Sequence, residues 1–187
     1  PSLKSILRST DRMARLVGDI SELSRIETGA LRLDPEWLDI QAFTQQLQKE
    51  QASLALARGI DLRWTTEASV PGEYFRADPL RMAQILSNLV GNAIKFSPEG
   101  AVVDVSVSLS ENQVSWDIED HGPGIPQADQ KHIFERFYRA RATSSIQGTG
   151  LGLSIVKHLT HLMGGEVTIR STEGKGSVFT LRIPRSG

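Results

Sequence analysis

The stretch Gln147-Gly148-Thr149-Gly150-Leu151-Gly152-Leu153-Ser154 decides how the rest of the chain is interpreted. Three glycines alternate with other residues, so the backbone can approach a ligand without a Cβ in the way. The apolar residues that come next recur at helical spacing, which predicts a helix that begins here with its amides free. They are Leu153, Ile155, Val156, Leu159, Leu162 and Met163. A glycine loop that leads into a helix N-terminus favours phosphate, but such a loop is as often a simple turn.

The composition limits the classes of partner that fit the chain. Of its 187 residues, 39% are hydrophobic and 23% are charged, with a net charge of −1. This charge gives no reason to expect nucleic acid as a partner. There is no cysteine, which excludes disulfides and thiolate metal sites. No apolar run approaches the roughly 20 residues of a membrane span, so we expect no direct membrane contact from these residues.

A seven-residue apolar repeat predicts that residues 3–27 form one helix, which we call the helical arm. The repeat consists of Ile6, Met13 and Ile20, with Leu16 and Leu23 beside them. A lone helix cannot bury such a seam. Two interpretations stay open: a partner helix in a bundle, or packing on the helix's own domain. The bundle is favoured because Gly29 and the Leu31–Pro35 stretch separate the arm from the rest of the chain.

The hydrophobic pattern after the arm predicts alternating strands and helices. Strands are predicted at 37–40, 60–66, 74–77, 102–109, 114–119, 166–171 and 177–184, and helices at 41–57, 79–96 and after Gly150. Asp78 is expected to cap the start of the helix at 79–96. A short helix around 131–136 would interrupt an irregular stretch of residues 121–148. The fold class is therefore an α/β (α+β) two-layer sandwich, with one mixed, mostly antiparallel sheet, helices on one face and a long helical arm in front.

Two asparagines and a lysine share one stripe of the predicted helix 79–96. Asn88 and Asn92 are one turn apart, and Lys95 follows three residues later. Amide oxygens suit Mg²⁺, which keeps water and phosphate in its shell, and an ammonium suits phosphate. The alternative is a solvated polar face.

An aspartate at a predicted strand end is followed by two glycines, in Asp120-His121-Gly122-Pro123-Gly124-Ile125. The glycines let the backbone pass close to a flat ligand. The carboxylate can accept a hydrogen bond from an exocyclic amine such as that of adenine. A tight turn is the equally weighted alternative, since glycine and proline are its usual residues.

The irregular stretch 121–148 is long for a compact domain, and such segments are often lids. Its aromatic residues Phe134, Phe137 and Tyr138 would pin a lid to the body. Arg139 or Arg141 could then reach a phosphate, which a planar guanidinium matches. The alternative is a surface loop with anchoring aromatics.

Together, these stretches resemble the catalytic, ATP-binding part of a sensor histidine kinase of the GHKL ATPase superfamily. In order, Asn88–Phe96 resembles its N box, Asp120–Gly124 its first glycine box, Ile133–Arg139 its F box, Gly148–Leu153 its second glycine box and Gly174–Ser177 its last one. Order and spacing agree over residues 36–184. His121 departs from the usual asparagine, but the aspartate and the glycines of that box are intact.

The resemblance implies a role for each residue of the N box and the F box. Asn92 would ligate Mg²⁺, and Asn88 would hold the phosphates or a water of the metal. Lys95 would contact a phosphate, and Arg139 would reach the terminal phosphate. Phe96 would lie beside the adenine or the ribose.

The resemblance also implies how the two glycine boxes hold ATP. Asp120 would accept a hydrogen bond from the adenine amine, in a pocket shaped by Gly122, Gly124 and Ile125. The second glycine box would close on the triphosphate. Its contributors would be Gly148, Gly150 and Gly152, with the amides of Thr149, Leu151 and Leu153.

The end of the arm, Leu23-Ser24-Arg25-Ile26-Glu27, resembles the second helix of a dimerisation and phosphotransfer hairpin. This implies a partial phosphotransfer helix at 1–30, a linker at 31–36 and a catalytic ATP-binding domain at 37–187. The phosphoacceptor histidine motif is missing, so we expect a fragment that binds ATP without phosphorylating itself. The implied partners are a second copy, through the arm, and the receiver domain of a response regulator. The implied location is the cytoplasmic part of an inner-membrane sensor protein.

Two other classes of function stay open. A GHKL ATPase of the gyrase, MutL or chaperone branch would use a glutamate beside the first N-box asparagine to activate water. The helix offers Gln84 and Ser87 there, without an acid. A regulatory module without catalysis would bind a partner through the arm, although the intact boxes argue against it.

Overall fold

The computed structural model describes residues 3–67, 69–139 and 148–186. Gln147 of the glycine stretch and Arg141 of the irregular stretch 121–148 lie outside the described residues. Among the described residues, no helix combines the length and the apolar character that crossing a bilayer requires.

Helices and strands alternate along most of the chain. The helices are α1 (Leu3–Glu27), α2 (Ile40–Ala57), α3 (Pro79–Phe96), α4 (Gln127–Gln130) and α5 (Gly152–Leu162). The strands are β1 (Glu36–Asp39), β2 (Asp61–Thr66), β3 (Tyr74–Ala77), β4 (Val102–Leu109), β5 (Gln113–Asp120), β6 (Glu166–Thr172) and β7 (Gly176–Pro184).

Five strands form the main sheet, in the order β2-β4-β5-β7-β6. The pair β2–β4 is parallel and the other three pairs are antiparallel. This confirms the predicted mixed, mostly antiparallel sandwich. However, β1 and β3 pair with each other in a separate two-stranded sheet, whereas the pattern predicted one sheet. Alternation predicts a strand, but it does not specify the partner of a strand only four residues long.

The core lies between the main sheet and the helices. Alternate residues of the central strands are buried, such as Val105 on β4 and Trp116 on β5. The apolar stripe of α3 packs opposite them, with Met82, Ile85 and Leu86 fully buried. Because these side chains exclude water on one face only, the other sheet face carries the polar residues.

The start of α3 follows the predicted capping pattern. The Oδ1 atom of Asp78 accepts a hydrogen bond from the Arg81 amide at 3.1 Å, and Pro79 occupies the first turn. The Oδ2 atom of Asp78 also accepts from the Asp34 amide at 3.0 Å. One buried carboxylate therefore starts the helix and holds the segment that follows the arm.

The helical arm packs on its own domain along its C-terminal half. Leu23 and Ile26 are buried there, whereas Met13, Val17 and Ile20 remain 67, 68 and 51% exposed. Packing on the domain thus covers only part of the apolar surface. An exposed stripe of Met13, Val17 and Ile20 is left on the single chain.

The prediction of a short helix around 131–136, inside the irregular stretch, is wrong. The short helix that forms there covers Gln127–Gln130, directly after Pro126. The carbonyl oxygen of Pro126 accepts from the amides of Asp129 and Gln130 at 2.8 and 3.2 Å. Pro126 is the N-cap residue, with φ of −53° and ψ of 141°, so the helical residues begin at Gln127. The next residues form turns, because the hydrogen bond from His132 reaches back only three residues, to Asp129.

Candidate functional site

One cavity of about 510 Å³ brings the separate motifs together. Its walls include Asn92 on α3, Asp120 at the end of β5 and Gly150 before α5. This volume lies within the roughly 300–1,000 Å³ of small-molecule sites. Further candidate residues that line it are Asn88, Lys95, Phe96, Gly124, Ile125, Arg139, Gly148, Thr149, Gly152 and Leu153. The helix stripe, the strand end and the glycine loop therefore face one ligand space.

Two candidate residues, Gly122 and Leu151, do not line this cavity. The Gly122 amide donates to Oδ1 of Asp120 at 2.9 Å. The side chain of Leu151 is fully buried, and its amide donates to Oγ1 of Thr149 at 3.3 Å. Both residues shape the wall from behind, and a direct contact with a nucleotide stays a prediction for each.

Asp120 is a buried carboxylate at one end of the cavity, with 6% of its surface exposed. Burial raises the pKa of Asp120, while amide hydrogen bonds from Gly122 and Ser177 act in the opposite direction. An ionised carboxylate here gains from each further donor because few waters reach it. A ligand amine would supply such a donor.

Close backbone contacts fix the strand end of the cavity. A Cβ on Gly124 would lie 2.1 Å from the Thr172 carbonyl oxygen, and one on Gly176 would lie 2.0 Å from the carbonyl oxygen of Asp120. Both glycines also have positive φ, at 67° and 107°. The loop after β5 thus lies directly against the β6–β7 hairpin, which explains why glycines are needed in both segments.

The glycine loop lies against the polar stripe of α3. A Cβ on Gly152 would lie 2.4 Å from Oδ1 of Asn88, and one on Gly148 would lie 2.9 Å from Nζ of Lys95. Burial lowers the pKa of Lys95, and the charges of Arg139, Arg58 and Arg15 lower it further. Positive charge is therefore concentrated at this end of the cavity.

The aromatic residues of the lid stretch differ in their role. Phe134 packs edge-on against Phe179 with ring centroids 6.4 Å apart, and Tyr138 packs against the core. Phe137 was expected to pin the stretch as well, but it is 61% exposed. Its backbone makes the contact instead, because the Phe137 amide donates to the Gly150 carbonyl oxygen at 2.9 Å. Phe137 itself has a positive φ of 60°. The F box and the glycine loop are thus joined through their main chains.

The helical arm contributes to the cavity, which the sequence did not indicate. Arg15 and Asp19 line it, and Oδ2 of Asp19 accepts a hydrogen bond from Oγ1 of Thr149 at 3.1 Å. Burial raises the pKa of Asp19. Farther along the arm, Glu22 forms an ion pair with Arg81. The seven-residue repeat predicted only where the apolar seam lies, so these polar contacts had no local signal.

The residues present fit a magnesium ion that takes few ligands from the protein and the rest from phosphate and water. The described residues contain no cluster of three or more His, Cys, Asp or Glu side chains that could hold a metal ion. The amide side chains of Asn88 and Asn92, one turn apart, both line the cavity. Mg²⁺ takes few protein ligands and keeps water and phosphate oxygens, so an amide oxygen suffices as the protein ligand.

The comparisons with known proteins agree with this geometry. The family model described as "Histidine kinase-, DNA gyrase B-, and HSP90-like ATPase" matches residues 77–187. The signal transduction histidine-protein kinase AfsQ2 of Streptomyces coelicolor is 35% identical over 186 residues, which cover 99% of this chain and 33% of AfsQ2. The chain spans about a third or less of the length of the curated relatives that it matches.

Solved structures share the whole fold, including the arm. Full-length ShkA in complex with AMPPNP superposes with a TM-score of 0.83 at 31% identity, over 97% of this chain and 37% of ShkA. The histidine kinase ThkA, in complex with the response regulator protein TrrA, gives a TM-score of 0.79 over 98% of this chain and 51% of ThkA. At 24% identity, ThkA shows the fold alone. The chain belongs to the family of histidine kinase-, DNA gyrase B- and HSP90-like ATPases, and it corresponds to the catalytic ATP-binding domain of the sensor histidine kinases.

Proposed function

We propose that this chain binds ATP with Mg²⁺ and transfers the γ-phosphoryl group to a histidine, as the catalytic part of a sensor histidine kinase. The observation that carries the proposal is the shared cavity of Asn92, Asp120 and Gly150. A buried carboxylate lies at one end and several cations lie at the other. This polarity matches a ligand with an amine-bearing base and an anionic tail.

The strand end would hold the adenine. Asp120 has one carboxylate oxygen that accepts from Gly122, and the group can accept from the base amine as well. Gly122, Gly124 and Ile125 would shape the slot, while Phe96 would lie beside the base or the ribose. Because close backbone contacts fix this end, it needs little reorganisation when a base binds.

The other end would hold the triphosphate and the metal. Asn92 would bind Mg²⁺ through its amide oxygen, with Asn88 beside it, and Lys95 and Arg139 would pair with phosphate oxygens. When bound, Mg²⁺ neutralises phosphate charge. The amides and backbone of the glycine loop, Gly148–Leu153, would close over the phosphates and exclude water. Phosphoryl transfer depends mainly on such positioning and charge neutralisation.

We propose that the acceptor histidine belongs to another part of the full-length protein. The cavity lining contains none of the four histidines of this chain. His121 and His158 bond backbone carbonyl oxygens of Val102 and Ser154 at 3.1 and 2.7 Å. The chain therefore supplies the positioning groups, and the nucleophile would approach from outside the cavity.

The proposed partners are the receiver domain of a response regulator and a second copy of the chain. The histidine kinase ThkA, whose fold this chain shares, is seen in complex with the response regulator protein TrrA. The exposed stripe of Met13, Val17 and Ile20 supports a homodimer through the arm, since an apolar seam needs a partner helix. We accordingly propose residues 1–30 as part of the phosphotransfer helix, 31–36 as a linker and 37–187 as the catalytic domain.

The proposed location is the cytoplasmic side of an inner-membrane sensor protein, because the reaction consumes cytoplasmic ATP. Fractionation of the full-length protein tests this, with the ATP-binding part accessible to protease only after the inner membrane is opened. Digestion of this part by protease while the inner membrane is still intact would contradict the location.

Calorimetric titration with Mg·ATP tests the binding half of the proposal. We expect saturable binding by the wild type and its loss in Asp120→Ala. No binding heat in either protein would refute the proposal.

Steady-state phosphate release tests the competing hydrolase function. We expect almost no release, because α3 places no acid beside Asn88. Turnover that vanishes in Asp19→Asn would favour hydrolysis, since Asp19 is the carboxylate near the glycine loop.

A further inference from the structure

Arg58 is a cation of the cavity wall that belongs to none of the nucleotide-binding motifs. It caps the C-terminus of α2, where its amide donates to the Ala55 carbonyl oxygen at 3.1 Å. The next residue, Gly59, has φ of 65°, and its carbonyl oxygen accepts from the Gly100 amide at 2.9 Å. The backbone at Arg58 is thus fastened beside the turn that follows α3.

The guanidinium of Arg58 has no acidic partner within the described part of the chain. The ion pairs found there join other residues, such as Arg63 with Asp61 and Arg81 with Glu22. Yet Arg58 is near enough to Lys95 for its charge to lower the pKa of the lysine. Two cations that face one cavity repel each other, and a bound anion would offset this repulsion.

The charges that line the cavity are unevenly distributed. The cations are Arg15, Arg58, Lys95 and Arg139, and the acids are Asp19 and Asp120. Asp120 lies at the strand end, so Asp19 is the acid that faces the four cations, and the charge at their end stays positive. The cationic end therefore fits a polyanion, and a planar guanidinium can pair with two phosphate oxygens at once.

We propose that Arg58 is a phosphate-binding residue of the ATP site, contributed by the turn between α2 and β2. The assignment rests on the proposed function, because it requires that the cavity hold ATP. Arg58 would contact the phosphate chain and not the base. It would thereby help the site to distinguish ATP from nucleosides.

The test measures the affinities of adenosine, ADP and ATP by calorimetry, at fixed ionic strength with Mg²⁺. Arg58→Gln should weaken ATP binding about tenfold, as expected when one hydrogen bond between charged groups is lost. Adenosine binding should stay within about twofold. Arg58→Lys should recover part of the ATP affinity, since it restores the charge but not the paired donors.

Arg63→Gln is the matched control. Arg63 lies on the open face of the sheet, since its neighbours Leu62 and Trp64 pack against the core. The variant removes the same charge, and we expect unchanged affinity for all three ligands.

An unchanged ATP affinity in Arg58→Gln would overturn the assignment. An equal loss for adenosine and ATP would also overturn it, because it would indicate a structural role. If the wild type binds no nucleotide at all, the proposed function fails, and this assignment fails with it.

Discussion

The two ends of the cavity are built from different kinds of contact. At the strand end, main chain lies against main chain: Gly124 against Thr172, and Gly176 against Asp120. At the glycine-loop end, Gly150 also has a main-chain bond, to Phe137, but side chains from distant segments hold the rest of the loop, such as Asp19, which bonds Thr149 at 3.1 Å. The fold itself therefore forms the strand end, whereas a ligand can replace the contacts of the loop end.

This difference assigns the two ends different tasks. A preformed slot can bind the base with little loss of conformational entropy. A loop held partly by side chains can exchange those side-chain contacts for phosphate oxygens and close over them. Substitutions at each end probe this division, beginning with the largest expected effect.

Gly124→Ala should produce the largest effect. The new Cβ would overlap the Thr172 carbonyl oxygen, and φ at this position is 67°. We expect the free energy of unfolding to fall by about 3 kcal/mol, from overpacking and an unfavourable backbone angle together. Urea denaturation followed by circular dichroism measures the change. A variant as stable as the wild type would contradict the view that backbone contacts fix this end.

Asp120→Asn should weaken adenosine and ATP binding by the same factor. The amide keeps the shape of the side chain but loses the ionised acceptor, which costs about tenfold or more in affinity. Calorimetry with both ligands measures the two factors. Loss confined to ATP would place Asp120 at the phosphates and would reverse our assignment of the two ends.

The affinity for adenosine should also depend on pH through Asp120. Burial raises the pKa of this carboxyl group above 3.8, with small opposing effects from the charges of His121 and Glu119. A ligand amine stabilises the ionised form, so affinity should fall as the pH decreases through the raised pKa. Because burial raises the pKa of Asp120 in the folded state alone, the contribution of this group to folding stability should decrease as the pH rises from 3.8 through the raised pKa. A wild-type affinity profile that parallels that of Asp120→Asn would argue against this linkage.

Asp19→Asn should raise the affinity for ATP by about threefold and leave adenosine unchanged. The substitution removes a carboxylate beside the phosphate end, where a charge several ångströms away contributes roughly 1 kcal/mol or less in a hydrated site. Asparagine can still accept from the Thr149 hydroxyl group. Parallel ATP titrations measure the effect, and weaker binding would show that Asp19 holds the loop in its binding geometry.

Gly148→Ala should produce the smallest effect. Its Cβ would meet only Nζ of Lys95, the end of a side chain that can move aside. We expect the free energy of unfolding to change by about 0.5 kcal/mol or less. This variant is the control for Gly124→Ala at the other end. Equal destabilisation by the two substitutions would erase the difference between the ends.

The sequence predicted those features that depend on neighbouring residues. Asp78 and Pro79 marked the start of α3, and alternation marked β4 and β5. The separate sheet of β1 and β3 was missed because short strands carry no signal for their partners. The contacts of the arm were missed as well, since Asp19 and Thr149 are 130 residues apart. The exposed side chain of Phe137 follows from a backbone contact with Gly150 that only the fold creates.

The most direct measurement is a nuclear magnetic resonance titration that follows backbone amides at both ends of the cavity. With Mg·ATP, we expect the Gly124 and Gly150 amides to shift together with one dissociation constant. With adenosine, we expect shifts at Gly124 and little change at Gly150. Shifts with Mg·ATP that are confined to one end, or that follow two dissociation constants, would contradict the claim that one nucleotide occupies both ends.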